Sequence, residues 1–293
     1  VLVGVFFTST SAILIRLSTA PPLAIAAYRM ALSALLMAPS FLWLELHGRV
    51  GSTEPSLRNI RGRDLLLCIA SGLFLGVHFA AWISSLSYTT VADATVLVNT
   101  HPVFIMLASA IFLRERPDRT SVALVLTAFA GSIVLTLDTG TAGGGSLLGN
   151  GLAIGGAAAV SGYFLIGRMV RGRVGLTHYT FIVYLTAALA LTVACIVAGV
   201  PLSGFPPRDY LVFAALAVFP TLLGHSVFNW ALRYLLPTFV SVAVLAEPAY
   251  ATVMAIAMFH EYPSVITVSG GIVVIGAIAA YLLHEGRRAP VHP

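Results

Sequence analysis

Two stretches of this chain share one pattern. Ala94 to Val122, ATVLVNTHPVFIMLASAIFLRERPDRTSV, is an apolar helix carrying His101-Pro102 that runs into the polar corner Arg114-Glu115-Arg116-Pro117 and out into a second apolar run. Ser241 to Val268, SVAVLAEPAYATVMAIAMFHEYPSVITV, repeats the pattern around Glu247-Pro248 and Glu261-Tyr262-Pro263. Pro102 and Pro248, Glu115 and Glu261, and Pro117 and Pro263 are each separated by 146 residues. Three matches at one spacing define an internal repeat, and its period, about half the chain, restricts the architecture to two similar units.

Composition says what the units are made of. Of 293 residues, 58% are hydrophobic and 9% charged, whereas an ordinary soluble domain is roughly 25% charged. That is too little polar surface to cover a soluble fold of this size. The apolar runs are mostly near twenty residues, about the length that spans 30 Å of hydrocarbon as a helix. Short alternating segments, the mark of a membrane β-barrel, are absent from the sequence. The fold class expected is an all-α polytopic membrane protein surrounded by the lipid bilayer. Cys68 and Cys195 lie inside apolar runs and read as small core residues, not a disulfide. The sequence starts at Val1 and not at a methionine, so a few residues are expected ahead of it; no cleavable signal sequence is expected.

Ten apolar segments can be drawn, at about 1–17, 23–44, 65–87, 91–113, 120–137, 149–170, 177–199, 210–235, 238–259 and 264–284. The glycine-rich stretch Asp138 to Asn150 divides them into two five-helix units, residues 1–140 and 141–293. All 16 basic residues are arginine, and basic loops stay cytoplasmic. With the N-terminus inside, the inner connections and the C-terminal tail hold 13 arginines and the outer connections only Arg16 and Arg208. Both termini are therefore expected in the cytoplasm. Five is odd, so the second unit enters the membrane in the opposite sense, and equivalent corners must face opposite sides. The arginine-rich RERPDR and the arginine-free HEYPSV agree with that. Inverted repeats are a common transporter design, because exchanging the conformations of the halves moves a central cavity from one side to the other.

Polar side chains at mid-membrane depth are costly and mark candidate sites. His78 and Trp82 are four residues apart and share a helix face suited to aromatic or cationic groups; Gly72 and Gly76 on the same segment form a close-packing GxxxG. Asn99, His101 and Pro102 sit in the middle of the fourth segment. A proline there releases the carbonyl one turn earlier, near Val98, and bends the helix, so Pro102 and its counterpart Pro248 are candidate hinges. Glu247 is the carboxylate expected at that depth, a candidate proton carrier or counter-ion to a substrate amine. His225 shares a face with Asn229, and Trp230 lies one residue round. Tyr163 is flanked by small residues, and Ser9, Thr10 and Ser11 give the first segment a similar polar patch. Arg29 is about seven residues from Pro22; it can snorkel to the outer interface or meet a substrate carboxylate. Glu115 and Glu261 read as corner residues, each ahead of a proline that starts the next helix.

No HExxH, GxSxG, P-loop or CxxC motif is present, so no metal site, cofactor, hydrolase or ATP-driven pump is expected, nor does anything point to nucleic acid. The motifs NTHPVFIMLASAIFLRERPDR and LAEPAYATVMAIAMFHEYPS, set in two five-helix halves, resemble the EamA-type members of the drug/metabolite transporter superfamily over essentially the whole chain. Within it the chain is similar to the YddG-type exporters of aromatic amino acids and paraquat-like compounds. The resemblance implies a ten-helix carrier of the bacterial inner membrane, both ends cytoplasmic, that exports amino acids or other small metabolites. Polar and aromatic groups within the apolar segments give a cavity set of His78, Trp82, Asn99, His101, Tyr163, His225, Trp230 and Glu247. The expected protein is a monomeric secondary carrier of small molecules, with protons as a candidate coupling ion. A channel, or a membrane haem protein using His78, His101 and His225, is the rival class.

Overall fold

A computed structural model of the chain describes residues 1–47, 57, 60–89, 94, 97–114, 117–136, 146–250, 253–254 and 265–288. Ten helices follow one another in these residues: α1 (Leu2–Arg16), α2 (Pro22–His47), α3 (Gly62–Ser85), α4 (His101–Leu113), α5 (Arg119–Thr136), α6 (Leu147–Arg171), α7 (Leu176–Val197), α8 (Pro207–Ala231), α9 (Pro237–Val244) and α10 (Val265–Arg288). Among the described residues, α2, α3, α6, α7, α8 and α10 are long and apolar enough to cross a bilayer, and α1, α4 and α5 are shorter apolar helices. The protein is an all-α, polytopic membrane protein. Arg116, Glu115, Glu261 and Pro263 of the two corners lie outside the described residues.

Local chemistry sets the helix starts. Proline opens α2, α8 and α9, because its fixed φ suits the first turn and its missing N–H is not needed there. The hydroxyl of Ser146 accepts from the Gly149 amide at 3.0 Å and caps α6. The fourth segment departs from the sequence expectation. Instead of one helix bent at a central proline, the chain turns at Asn99–Thr100 and starts α4 afresh at His101, which puts Pro102 in a first turn. The ninth segment does likewise: α9 ends at Val244, turns at Leu245–Ala246 and is helical again from Glu247.

The two breaks superpose in sequence. Thr100 N donates to Leu97 O at 3.2 Å and Val103 N to Thr100 O at 3.0 Å. In the other half Ala246 N donates to Ala243 O at 3.1 Å and Ala249 N to Ala246 O at 3.0 Å. The three residue pairs, Leu97 and Ala243, Thr100 and Ala246, and Val103 and Ala249, are each separated by the 146 read from the sequence.

Helix packing carries the same relation. Exchanging each helix for the one five places away maps the α3–α6 contact onto α8–α1, α3–α7 onto α8–α2, α4–α6 onto α9–α1, α2–α3 onto α7–α8 and α4–α5 onto α9–α10. The pairs α2–α7, α4–α9 and α5–α10 map onto themselves. This is the contact pattern of two five-helix units joined about a pseudo-twofold axis. Small residues permit the closest approaches: a Cβ on Gly72 would stand 2.7 Å from the Val183 carbonyl of α7, and one on Gly4 would stand 2.9 Å from the Phe228 ring of α8. Cys68 and Cys195 are buried free thiols.

Each third helix also reaches across the halves through the aspartate of its first turn. Asp64 of α3 takes a bidentate grip from Arg173, in the α6–α7 connection, with Nη2 at 2.7 Å and Nε at 3.1 Å. That bond holds the Arg173 guanidinium above its ordinary pKa. Asp209 of α8, at the matching place, accepts from Thr19 in the α1–α2 connection, from the amide at 3.1 Å and the hydroxyl at 2.8 Å.

Candidate functional site

The polar side chains gather where α2, α3, α6, α7 and α8 meet. Arg29 is the hub. It is 1% exposed, and its Nε donates to Thr221 Oγ1 at 2.8 Å and its Nη1 to Ser11 Oγ at 2.9 Å. The guanidinium lies over the Phe79 ring, 4.0 Å from the centroid, a cation–π contact that partly replaces lost water. The snorkelling expectation is overturned. Arg29 points into the protein, because the hydroxyls of α1 and α8 offer acceptors that the nearby interface would otherwise supply.

Why α8 offers one follows from Pro220. A proline inside a helix leaves the carbonyl four residues earlier without its donor. Here that carbonyl is Leu216 O, and the Thr221 hydroxyl donates to it at 2.9 Å. The helix widens to π geometry over Ala217–His225, a form that recurs at functional sites. The same hydroxyl oxygen then accepts from Arg29. Pro220 and Thr221 were not singled out by the sequence reading, although a proline in an apolar run was the signal.

His78 donates from Nδ1 to Gly156 O at 2.9 Å and stands parallel to the Trp82 indole, with centroids 6.1 Å apart. His101 donates from Nδ1 to Val98 O at 3.1 Å, the carbonyl that Pro102 leaves open, and its own carbonyl accepts from Ser161 at 3.1 Å. Both rings therefore carry their proton on Nδ1, which leaves Nε2 as an acceptor in the neutral form. Among the described residues His225 has no such anchor: its Nδ1 is buried without a partner there, and its ring meets the edges of Phe79 and Phe228. Tyr163 is fully buried and donates to Asn229 Oδ1 at 2.6 Å. Tyr184, from α7, shares a 3.0 Å hydrogen bond with Ser226.

Trp82 Nε1, Asn99 Nδ2 and Asn229 Nδ2 are buried donors without a partner among the described residues. An unmet buried donor costs about 1–3 kcal/mol, so their concentration around one region marks it as more than packing. Glu247 is half-buried just after the second break, and it makes no hydrogen bond among the described residues. Its charge and that of Arg29 act on each other, yet no ion pair joins them.

Of the expected cavity set, the structure does not bring Trp230 to this cluster. It is 51% exposed and packs on Tyr234 at 5.3 Å, as an aromatic does at a membrane interface. Asn229, one position round the helix, takes the inward place. Two arginines counted as loop charges have a structural task as well. Arg171, 2% exposed, donates to Asn229 O at 2.9 Å and to Val174 O. Arg168 donates to Leu232 O at 3.3 Å and Arg233 O at 3.1 Å. Together they cap the carbonyl end of α8, where cations are favoured.

The fold and this cluster define a class: a multi-pass helical membrane protein with buried, incompletely satisfied polar groups at the junction of two similar units. Comparison with known proteins makes the class specific. The EamA-like transporter family matches residues 1–137 and again 147–283, and the chain belongs to that family. It is a transporter of the EamA type. Relatives include the uncharacterized transporter YxxF of Bacillus subtilis, 22% identical over 78% of this chain and 73% of its own. An uncharacterized transporter of Archaeoglobus fulgidus is 26% identical over 90% and 89%. A solved crystal structure has the same fold, with a TM-score of 0.79, 20% identity and coverage of 98% and 96% of the two chains.

Proposed function

We propose that this transporter is a secondary carrier that moves small amphipathic metabolites, amino acids first among them and related organic cations next, out of a bacterial cytoplasm. It acts in the inner membrane as a monomer with both termini inside. Residues 1–140 and 141–293 serve as inverted repeats around a central site. The halves switch access by flexing at the Pro102 and Pro248 breaks.

One observation carries this reading: the buried polar cluster around Arg29 is built from helices of both halves, α1 and α2 of the first and α8 of the second. A ligand held there contacts both units, so its binding responds to their relative position. Glu247 and the histidines are the groups able to couple protons, and a carrier running down its substrate gradient needs neither.

Proteoliposome counterflow tests the proposal. Labelled phenylalanine, tryptophan and threonine are offered outside, with and without excess unlabelled compound inside. Saturable, trans-stimulated uptake of at least one is expected. Uptake that rises linearly with concentration would make the protein a pore. No uptake of any, with folded protein in the vesicles, would remove the amino-acid reading.

A further inference from the structure

Arg29 and Glu247 bring a cation and an anion from different halves close enough for their charges to act on each other, yet no ion pair joins them. The guanidinium of Arg29 is held by two neutral hydroxyls and an aromatic face, and no carboxylate is bound to it among the described residues. Glu247 stands at the second helix break with its carboxylate equally unassigned. The two residues come from different halves, Arg29 from α2 and Glu247 from the segment after α9. The elements around them touch: Ser11, which binds Arg29, is on α1, and α1 packs on the Glu247 segment through Phe6 and Tyr250, whose rings are 5.9 Å apart.

A buried charge is tolerated when it is paired and hydrogen-bonded. Here neither is bound to an opposite charge among the described residues, and the charges of these two residues cancel. A ligand bearing a single positive charge would satisfy Glu247 and leave Arg29 facing one cation more. A ligand bearing a single negative charge would do the converse. A ligand with both charges on adjacent atoms meets both needs and leaves no excess charge behind. A carboxylate suits the forked donors of arginine, and an ammonium suits a carboxylate acceptor.

We infer that the protein holds its substrate as a zwitterion, the carboxylate on Arg29 and the ammonium on Glu247, and that a free amine and a free acid are both required. The inference rests on the proposal that the protein carries amino acids, and it narrows it by excluding simple organic cations. The ring system beside Arg29, formed by Phe79, His78 and Trp82, is where the rest of an aromatic substrate lies.

The test is competition against labelled phenylalanine counterflow by three unlabelled compounds: phenylalanine itself, phenylethylamine, which lacks the carboxylate, and 3-phenylpropionate, which lacks the amine. In the unaltered protein both truncated compounds should compete at least about tenfold more weakly. The variants then separate the two charges. In Glu247→Gln, phenylalanine should lose its advantage over 3-phenylpropionate but keep it over phenylethylamine. In Arg29→Gln the reverse is expected, and Arg29→Lys, which keeps the charge without the fork, should restore part of it. A merely structural role for either residue would weaken all three competitors alike, and that result overturns the inference. So does a phenylethylamine that competes as well as phenylalanine. If Arg29→Gln fails to fold, the near-isosteric Glu247→Gln pair of ratios decides alone. Absence of counterflow for any amino acid in the unaltered protein is a different failure. It removes the amino-acid reading, and the zwitterion site falls with it.

Discussion

The two halves solve the same packing problem with different chemistry. At the foot of α3, Asp64 is held by the charged fork of Arg173; at the foot of α8, Asp209 is held by the amide and hydroxyl of Thr19. Farther along, His78 is anchored to the Gly156 carbonyl, whereas His225 keeps a buried nitrogen unmet among the described residues. The register explains the second contrast. Asp64 and Asp209 differ by 145 residues, His78 and His225 by 147, so α8 holds two more residues between its markers than α3 does. The π-helical stretch around Pro220 lies in that interval. One half is a regular brace. The other carries the same brace with a widened helix, and the widening brings Thr221 to Arg29.

The contrast can be broken most severely where the register is still shared. Gly72 and Ala217 occupy the same position, eight residues after their aspartates. A Cβ at Gly72 would stand 2.6 Å from Thr186 Cβ and 2.7 Å from a backbone oxygen. Gly72→Ala should therefore lower stability by about 1–3 kcal/mol or more through overpacking, while the opposite exchange, Ala217→Gly, should cost only about 1 kcal/mol of helix propensity. Thermal unfolding in detergent compares the two directly, and equal losses would mean that α7 stands no closer to α3 than α2 does to α8.

Next in size is the device at Pro220 of α8, which α3 lacks. Thr221→Val removes the acceptor for Arg29 Nε and the donor for Leu216 O, with an expected loss of about 1–3 kcal/mol. Thr221→Ser keeps the hydroxyl and should retain most of the stability. If the valine variant melts with the native protein, Arg29 is not held by that hydroxyl.

The histidines give a smaller difference. His78→Phe forfeits a bond to Gly156 and should cost about 1 kcal/mol; His225→Phe forfeits none and should leave the melting temperature unchanged or slightly higher. A larger loss at His225 would show that its ring nitrogen has found a partner.

The aspartate braces differ least in energy and most in response to salt. Arg173 is 51% exposed, so its pair with Asp64 is screened, and Arg173→Gln should cost less than about 1 kcal/mol. Raising ionic strength should shrink that cost. The Asp209–Thr19 contact pairs an anion with neutral donors and should show little salt dependence in a Thr19→Val comparison.

The positions of the breaks were legible in the sequence because proline acts locally. The offset of 146 reappears in the turn hydrogen bonds at Thr100 and Ala246. The manner of the break was not, since whether a proline bends a helix or begins a new one depends on side chains such as His101 that take the released carbonyl. His78, Trp82, His101, Tyr163 and His225 were all found as buried polar or amphipathic groups. Trp230 was grouped with them on chain proximity alone, and its exposure follows from one step of helix rotation. The sequence does not decide whether Arg29 faces the membrane surface or the interior, for neither Ser11 nor Thr221 is near it in the chain.

By itself, then, the sequence determined that this chain is a helical membrane protein of two five-helix units. Length of apolar run, arginine placement and a fixed repeat spacing are properties that need no contacts. Only the tertiary structure decided which polar groups meet. The grip of Arg173 on Asp64 spans 109 residues, and that of Arg29 on Thr221 spans 192. The widened turn at Pro220 shifts every side chain after it relative to an ideal helix. Such partners are chosen by packing between helices, where a buried charge takes whatever acceptor the neighbouring helix presents.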